Sequence, residues 1–104
     1  MSDAAIGAMN LLGERLREAR LKRNWNQSTA AEKAGLSVSS VKKVEAGSVN
    51  ITIAAYVAML DIFGQSTALD QLLAPGTDTI GDALQRDTRQ RARSPHKDSS
   101  EWAF

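Results

Sequence analysis

The chain has no cysteine, which excludes a disulfide framework, a zinc knuckle and a thiol nucleophile. It has one histidine, His96, set in a polar stretch with no second ligand or base near it in sequence. A metal or catalytic role for it is therefore not expected. The carboxylates are scattered without a convergent pair, and no glycine-rich phosphate loop is present. Ser37, Ser39 and Ser40 have no histidine beside them to activate a hydroxyl. The expectation is a protein without catalysis and without a cofactor. Long apolar runs are also missing. The longest covers residues 53–60 and stops at Asp61, against the roughly 20 residues of a membrane helix. Met1-Ser2-Asp3 is not the start of a basic-then-apolar leader. A cytoplasmic protein without a membrane partner is expected.

A net charge of +1 hides a strong segregation. Residues 14–43 carry eight basic residues against three acidic, and residues 85–97 carry five against one. Local basic patches of this kind, not the overall balance, set affinity for a polyanion. With 42% apolar residues in 104, one modest core is affordable and a large enzyme-like cleft is not.

Residues 26–47 say most about function. Two helix-sized segments, residues 27–34 and 38–46, are joined through Gly35 and Leu36. Asn26 and Ser37 stand at the N-cap positions, where a short side-chain oxygen can accept from the free N–H groups of a first turn. Gly35 suits the left-handed residue that ends a helix. Two short helices with a glycine-containing turn of this length make a helix-turn-helix. The second segment presents Ser39, Lys42 and Lys43 outward, with Ser37, Ser40 and Val38 beside them. Hydroxyls suit base edges or phosphates, ammonium groups suit phosphate or guanine, and a valine at the tip can meet a thymine methyl or simply solvent.

Gln27, Ala31, Gly35, Leu36, Val41, Glu45 and Gly47, preceded by a helix over residues 11–23 with Leu12, Leu16 and Ala19 on one face, resemble the phage repressor/Cro-like (XRE) helix-turn-helix family. The resemblance covers residues 11–74 and departs at Ala30, where leucine is usual, and at Val38, where a polar residue often reads a base. It implies that Gln27 bridges a phosphate and the recognition helix. It also implies that Ser48 and Asn50 lie in a loop that holds the DNA backbone, and that Arg20 and Glu45 form a structural salt bridge, expected to be partly buried.

The expected architecture is all-α: a flexible N-terminus over 1–9, a compact five-helix DNA-binding and dimerisation domain over 10–76, and a flexible basic tail over 77–104. Thr52 should cap a fourth helix over 53–63, with Ile53, Tyr56, Met59, Leu60 and Phe63 inward. Ser66 or Thr67 should start a short fifth helix ending near Leu73, and Pro75-Gly76 closes the domain. The fourth helix is apolar all round, which a domain this small cannot cover, so Ala54, Val57, Ala58 and Ile62 are expected to meet a second copy. In the tail, Arg86, Arg89, Arg91 and Arg93 suit a flexible strand following phosphates, and Trp102 and Phe104 suit a partner's pocket. These features lead to the expectation of a homodimeric repressor on double-stranded, near-palindromic DNA. Glu101-Trp102 and the tailed layout further resemble the HipB-type antitoxins that bind a HipA-type kinase toxin. A stand-alone regulator, or an adaptor that does not bind DNA, are the alternatives.

Overall fold

The computed structural model describes residues 1–92 and is helical throughout, with no strand among the described residues. The elements are α1 (Asp3–Lys22), α2 (Gln27–Ala34), α3 (Val38–Glu45), α4 (Ile53–Ile62), a 3₁₀ segment (Ser66–Gln71) and α5 (Thr79–Ala92). The chain divides into two compact units, Met1–Asp70 and the segment from Gln71 onward. No helix among the described residues is long and apolar enough to cross a membrane.

Residues 1–9, expected to be flexible, are helical from Asp3 on. The Ser2 hydroxyl accepts from Ala5 N–H at 3.1 Å, Asp3 lies in the first turn, and the alanines that follow are strong helix formers. The helix is put to use, because Met9 packs against the core. At the other end Asn24 takes a positive φ of 56°, the left-handed step that turns the chain toward α2.

The α2 and α3 boundaries follow from their caps. Asn26 Oδ1 accepts from Thr29 N–H at 2.7 Å, Gly35 has φ 69°, and Ser37 Oγ accepts from Ser40 N–H at 3.0 Å. Thr52 occupies the N-cap position of α4, but its side chain makes no cap bond. The Ala55 N–H that it would serve donates to the Thr52 carbonyl instead, at 3.1 Å.

Leu16, Ala30, Ala31, Val41, Val44, Ala55, Tyr56, Met59 and Phe63 form one buried core. α3 lies at its centre, packed on α1, α2 and α4. Ala30, the departure noted above, is fully buried, and with Ala31 and Ala55 it lets α2 and α4 approach closely. The inward face of α4 carries Tyr56, Met59 and Phe63 as expected, with Leu60 packed against the core, and differs at its first turn. Ala55 is buried, whereas Ile53, expected in the core, is 67% exposed. At 100° per residue Ile53 stands about 200° around the helix from Ala55, on the far side.

The segment expected as a fifth α-helix is a 3₁₀ turn of six residues with no buried member. In the second unit, the first part of the stretch expected as a flexible tail is α5. The Asp78 carboxylate accepts from Gly81 N–H at 2.9 Å and Asp82 lies in the first turn, both favourable at a helix N-terminus. Arg86 and Arg89 are thus three apart on a helix and share one side, not a flexible strand. The side chain of Arg91, and all of Arg93, Trp102 and Phe104, lie outside the described residues.

Candidate nucleic-acid interface

α3 presents one face to the core and the other to solvent. Val41 and Val44 are fully buried; Ser39, Lys42 and Lys43 are exposed. Positions 39, 42 and 43 are neighbours on a helix surface, so the hydroxyl and the two ammonium groups form one contiguous patch. None of the three makes a side-chain hydrogen bond or ion pair among the described residues. An eight-residue helix is about 12 Å long and, with side chains, about as wide as the DNA major groove.

The other candidates on α3 are partly committed to the fold. Ser37 Oγ accepts from Ser40 N–H and donates to Ser40 Oγ at 3.0 Å, so it serves chiefly as the cap of α3. Ser40 is half-buried. Val38 is half-buried and packs against the core, so only part of its surface is free to meet a thymine methyl.

α3 is held in place by a buried polar network. Arg20 Nε donates to Glu45 Oε2 at 2.6 Å and Nη2 donates to Glu45 Oε1 at 3.0 Å, a two-bond fork, while Nη1 donates to the Trp25 carbonyl at 2.9 Å. Gln27 Nε2 donates to Glu45 Oε1 at 3.1 Å. Arg20 and Glu45 are only 6% and 8% exposed, so the pair is buried and not, as expected, partly so. One carboxylate at the last turn of α3 therefore joins α1 to the start of α2, and Arg20 ties the α1–α2 turn to the same pair. Gln27 keeps one amide N–H beyond the one given to Glu45, the group a phosphate could accept from.

Further contacts were not visible in the sequence pattern. Trp25 stacks on Phe63 with ring centroids 5.8 Å apart. The Arg23 guanidinium lies 4.9 Å from the Phe63 ring centroid, and the Lys33 ammonium 4.7 Å from that of Trp25. These cations are anchored to aromatic faces and are not part of the α3 patch. Gly13, mid-helix in α1, meets the end of α3 backbone to backbone. The cost of a glycine inside a helix was the available signal that something comes close there.

The loop after α3 is also anchored. Ser48 is half-buried and Asn50 exposed, and Ser48 Oγ accepts from Asn50 N–H at 3.1 Å. Tyr56, 3% exposed, donates its hydroxyl to the Ser48 carbonyl at 2.6 Å. Burial pushes the Tyr56 hydroxyl above the ordinary tyrosine value of 10.0. The folded chain then keeps this proton where the unfolded chain releases it, so below pH 10 the group has no effect on the pH dependence of stability. As pH rises past 10 the unfolded chain ionises first and stability falls. The chain has one tyrosine, so tyrosinate absorbance reports it alone. Its titration midpoint should lie above 10.0 in the native protein and return to the ordinary value in denaturant. A native midpoint at or below the denatured one would contradict the burial seen here.

A family model described as a helix-turn-helix domain matches residues 11–73 of this chain. No curated protein and no solved structure matches it.

Proposed function

The chain belongs to the helix-turn-helix domain family, and from that premise we propose that it is a sequence-specific DNA-binding transcriptional repressor. It acts as a homodimer, with α3 of each copy in the major groove at half-sites roughly 34 Å apart. The observation that carries this reading is the exposed, uncommitted patch of Ser39, Lys42 and Lys43 on a helix held rigidly by Arg20, Gln27 and Glu45. Gln27, Ser48 and Asn50 flank that patch and serve the phosphates; Ser37, Ser40 and Val38 shape its tip. Arg86 and Arg89, exposed on one side of α5, add backbone affinity. Selection of bound duplexes from a random pool tests the reading. It should enrich a near-palindrome with that spacing; failure to enrich any sequence counts against it.

The dimer contact is proposed on the outer side of α4. Ala54 is exposed there, Val57, Ala58 and Ile62 are half-buried, and Ile53, 67% exposed, extends the apolar surface. Ala58→Glu should give a monomer with unchanged helix content and much weaker operator binding. Sedimentation and circular dichroism check this. A variant that remains dimeric at micromolar concentration would move the interface elsewhere.

Within this reading we place the protein as the autoregulating antitoxin of a HipA-type kinase toxin. Its support is the stretch Glu101-Trp102-Ala103-Phe104, with two aromatics suited to a partner's pocket. Co-purification with a kinase encoded beside it tests the assignment. If no such partner exists, a stand-alone regulator remains. An adaptor without DNA binding is disfavoured by the two exposed lysines of α3.

A further inference from the structure

Ser48, the second residue after α3 ends at its Ala46 cap, is tied down at three atoms. Its N–H donates to the carbonyl of Lys43 at 2.9 Å, its Oγ accepts from Asn50 N–H at 3.1 Å, and its carbonyl accepts from the Tyr56 hydroxyl at 2.6 Å. Gly47 before it has φ 72° and no room for a Cβ, so the chain enters the loop in one fixed direction. Tyr56 rises from the core side of α4 and is 3% exposed. It therefore pulls the Ser48 carbonyl inward. The peptide unit is planar and trans, so a carbonyl fixed in one direction sends the next N–H in the opposite one. That N–H belongs to Val49, which is 52% exposed. Among the described residues, neither the Val49 N–H nor the Ser48 hydroxyl proton has an acceptor. The loop thus offers two adjacent donors, a match for a ligand atom that only accepts.

We propose that Tyr56 is a positioning residue for DNA binding: its hydroxyl locks the Ser48–Val49 peptide plane so that Val49 N–H and the Ser48 hydroxyl hold one phosphate oxygen of the duplex. The proposal rests on the DNA-binding reading above and adds a residue that never touches the DNA. Phenylalanine at this position would fill the same core volume and leave the peptide plane free to turn.

The test compares the unaltered chain, Tyr56→Phe and Ser48→Ala by fluorescence anisotropy. Two duplexes are used, the one recovered by selection and an unrelated one, over a range of salt concentrations. Tyr56→Phe should weaken binding to both duplexes by roughly three- to tenfold, the worth of one neutral hydrogen bond. Both lost donors are neutral and release no counterion, so the slope of log affinity against log salt should stay that of the unaltered chain. Ser48→Ala, which leaves the core untouched, should weaken binding to both duplexes likewise, and the double variant should lose little more than either single one. A hydroxyl that merely stabilises the fold would lower the melting temperature and leave the affinity of the folded protein unchanged. A folded Tyr56→Phe that binds both duplexes as tightly as the unaltered chain overturns the proposal. If that variant does not fold, an unchanged affinity for Ser48→Ala overturns it instead. Should the unaltered chain bind neither duplex, the DNA-binding reading itself fails.

Discussion

Glu45→Gln should destabilise the protein by about 3–5 kcal/mol, the cost of leaving a buried charge without its partner. The side chain keeps its size, so no cavity opens. What changes is that the Arg20 guanidinium, 6% exposed, loses the carboxylate that takes two of its N–H groups. Gln27 loses the charged acceptor of its own bond. Small domains are stable by only about 5–15 kcal/mol, so such a loss brings the fold near its limit. Removing the arginine instead adds a second fault, because the Trp25 carbonyl then loses its donor. Replacing both charges by apolar side chains of similar length, Arg20→Met with Glu45→Met, should recover much of the stability, since a buried pair is worth far less than the penalty for breaking it. Denaturant unfolding of the two singles and the double measures this. Single variants as stable as the unaltered chain would show that the pair is open to water in solution.

Gly13→Ala should also destabilise the fold, although alanine is the better helix former by about 1 kcal/mol. A Cβ at Gly13 would stand 2.7 Å from the carbonyl oxygens of Val44 and Glu45 and 2.8 Å from the nitrogen of Gly47. All three are backbone atoms, which cannot swing aside as a side chain does. The contact is reciprocal, because a Cβ at Gly47 would lie 2.7 Å from the Met9 carbonyl oxygen and 2.8 Å from Asn10 Cα. Overpacking costs typically about 1–3 kcal/mol and more where backbone must move. A net loss of about 1–2 kcal/mol is expected once the helix gain is subtracted, since backbone must move here. Because α1 carries Arg20, pushing it from the end of α3 should also loosen the grip on α3. Gly7, with open space around it in the same helix, is the control: Gly7→Ala should be neutral or stabilising. Equal effects at the two glycines would contradict the close approach.

The helix-turn-helix was legible because its punctuation is local. Asn26, Gly35 and Ser37 each act within a few residues of themselves, and α2 begins and ends where they place it. Val41 and Val44 were legible by period, since an eight-residue helix has only one way to turn two valines inward. What escaped depends on distant chain. Nothing near Ile53 tells that Ala55 and not Ile53 faces α2. Nothing near Gly13 tells that Gly47 comes against it. The Arg20–Glu45 pairing was inferable only from the family resemblance, and its burial only from the packed helices. The start of α1 hangs on the single hydroxyl of Ser2, which the small, uncharged character of residues 1–9 obscures. Composition does not register the Asp78 cap that starts α5. On the candidate site, the exposed face of α3 was readable directly, whereas the commitment of Ser37, Ser40 and Val38 to capping and packing was not.

If the outward patch of α3 binds DNA, the Ser39→Ala, Lys42→Ala, Lys43→Ala triple variant should lose its affinity for the operator. These side chains are exposed, so the variant should fold like the unaltered chain, as circular dichroism and melting will show. Each lost base contact should cost about 1–3 kcal/mol, and each lost phosphate contact should lower the salt slope by about 0.9. The folded triple variant should no longer distinguish the selected duplex from an unrelated one. Retention of full affinity and selectivity in that variant would contradict DNA binding by this patch.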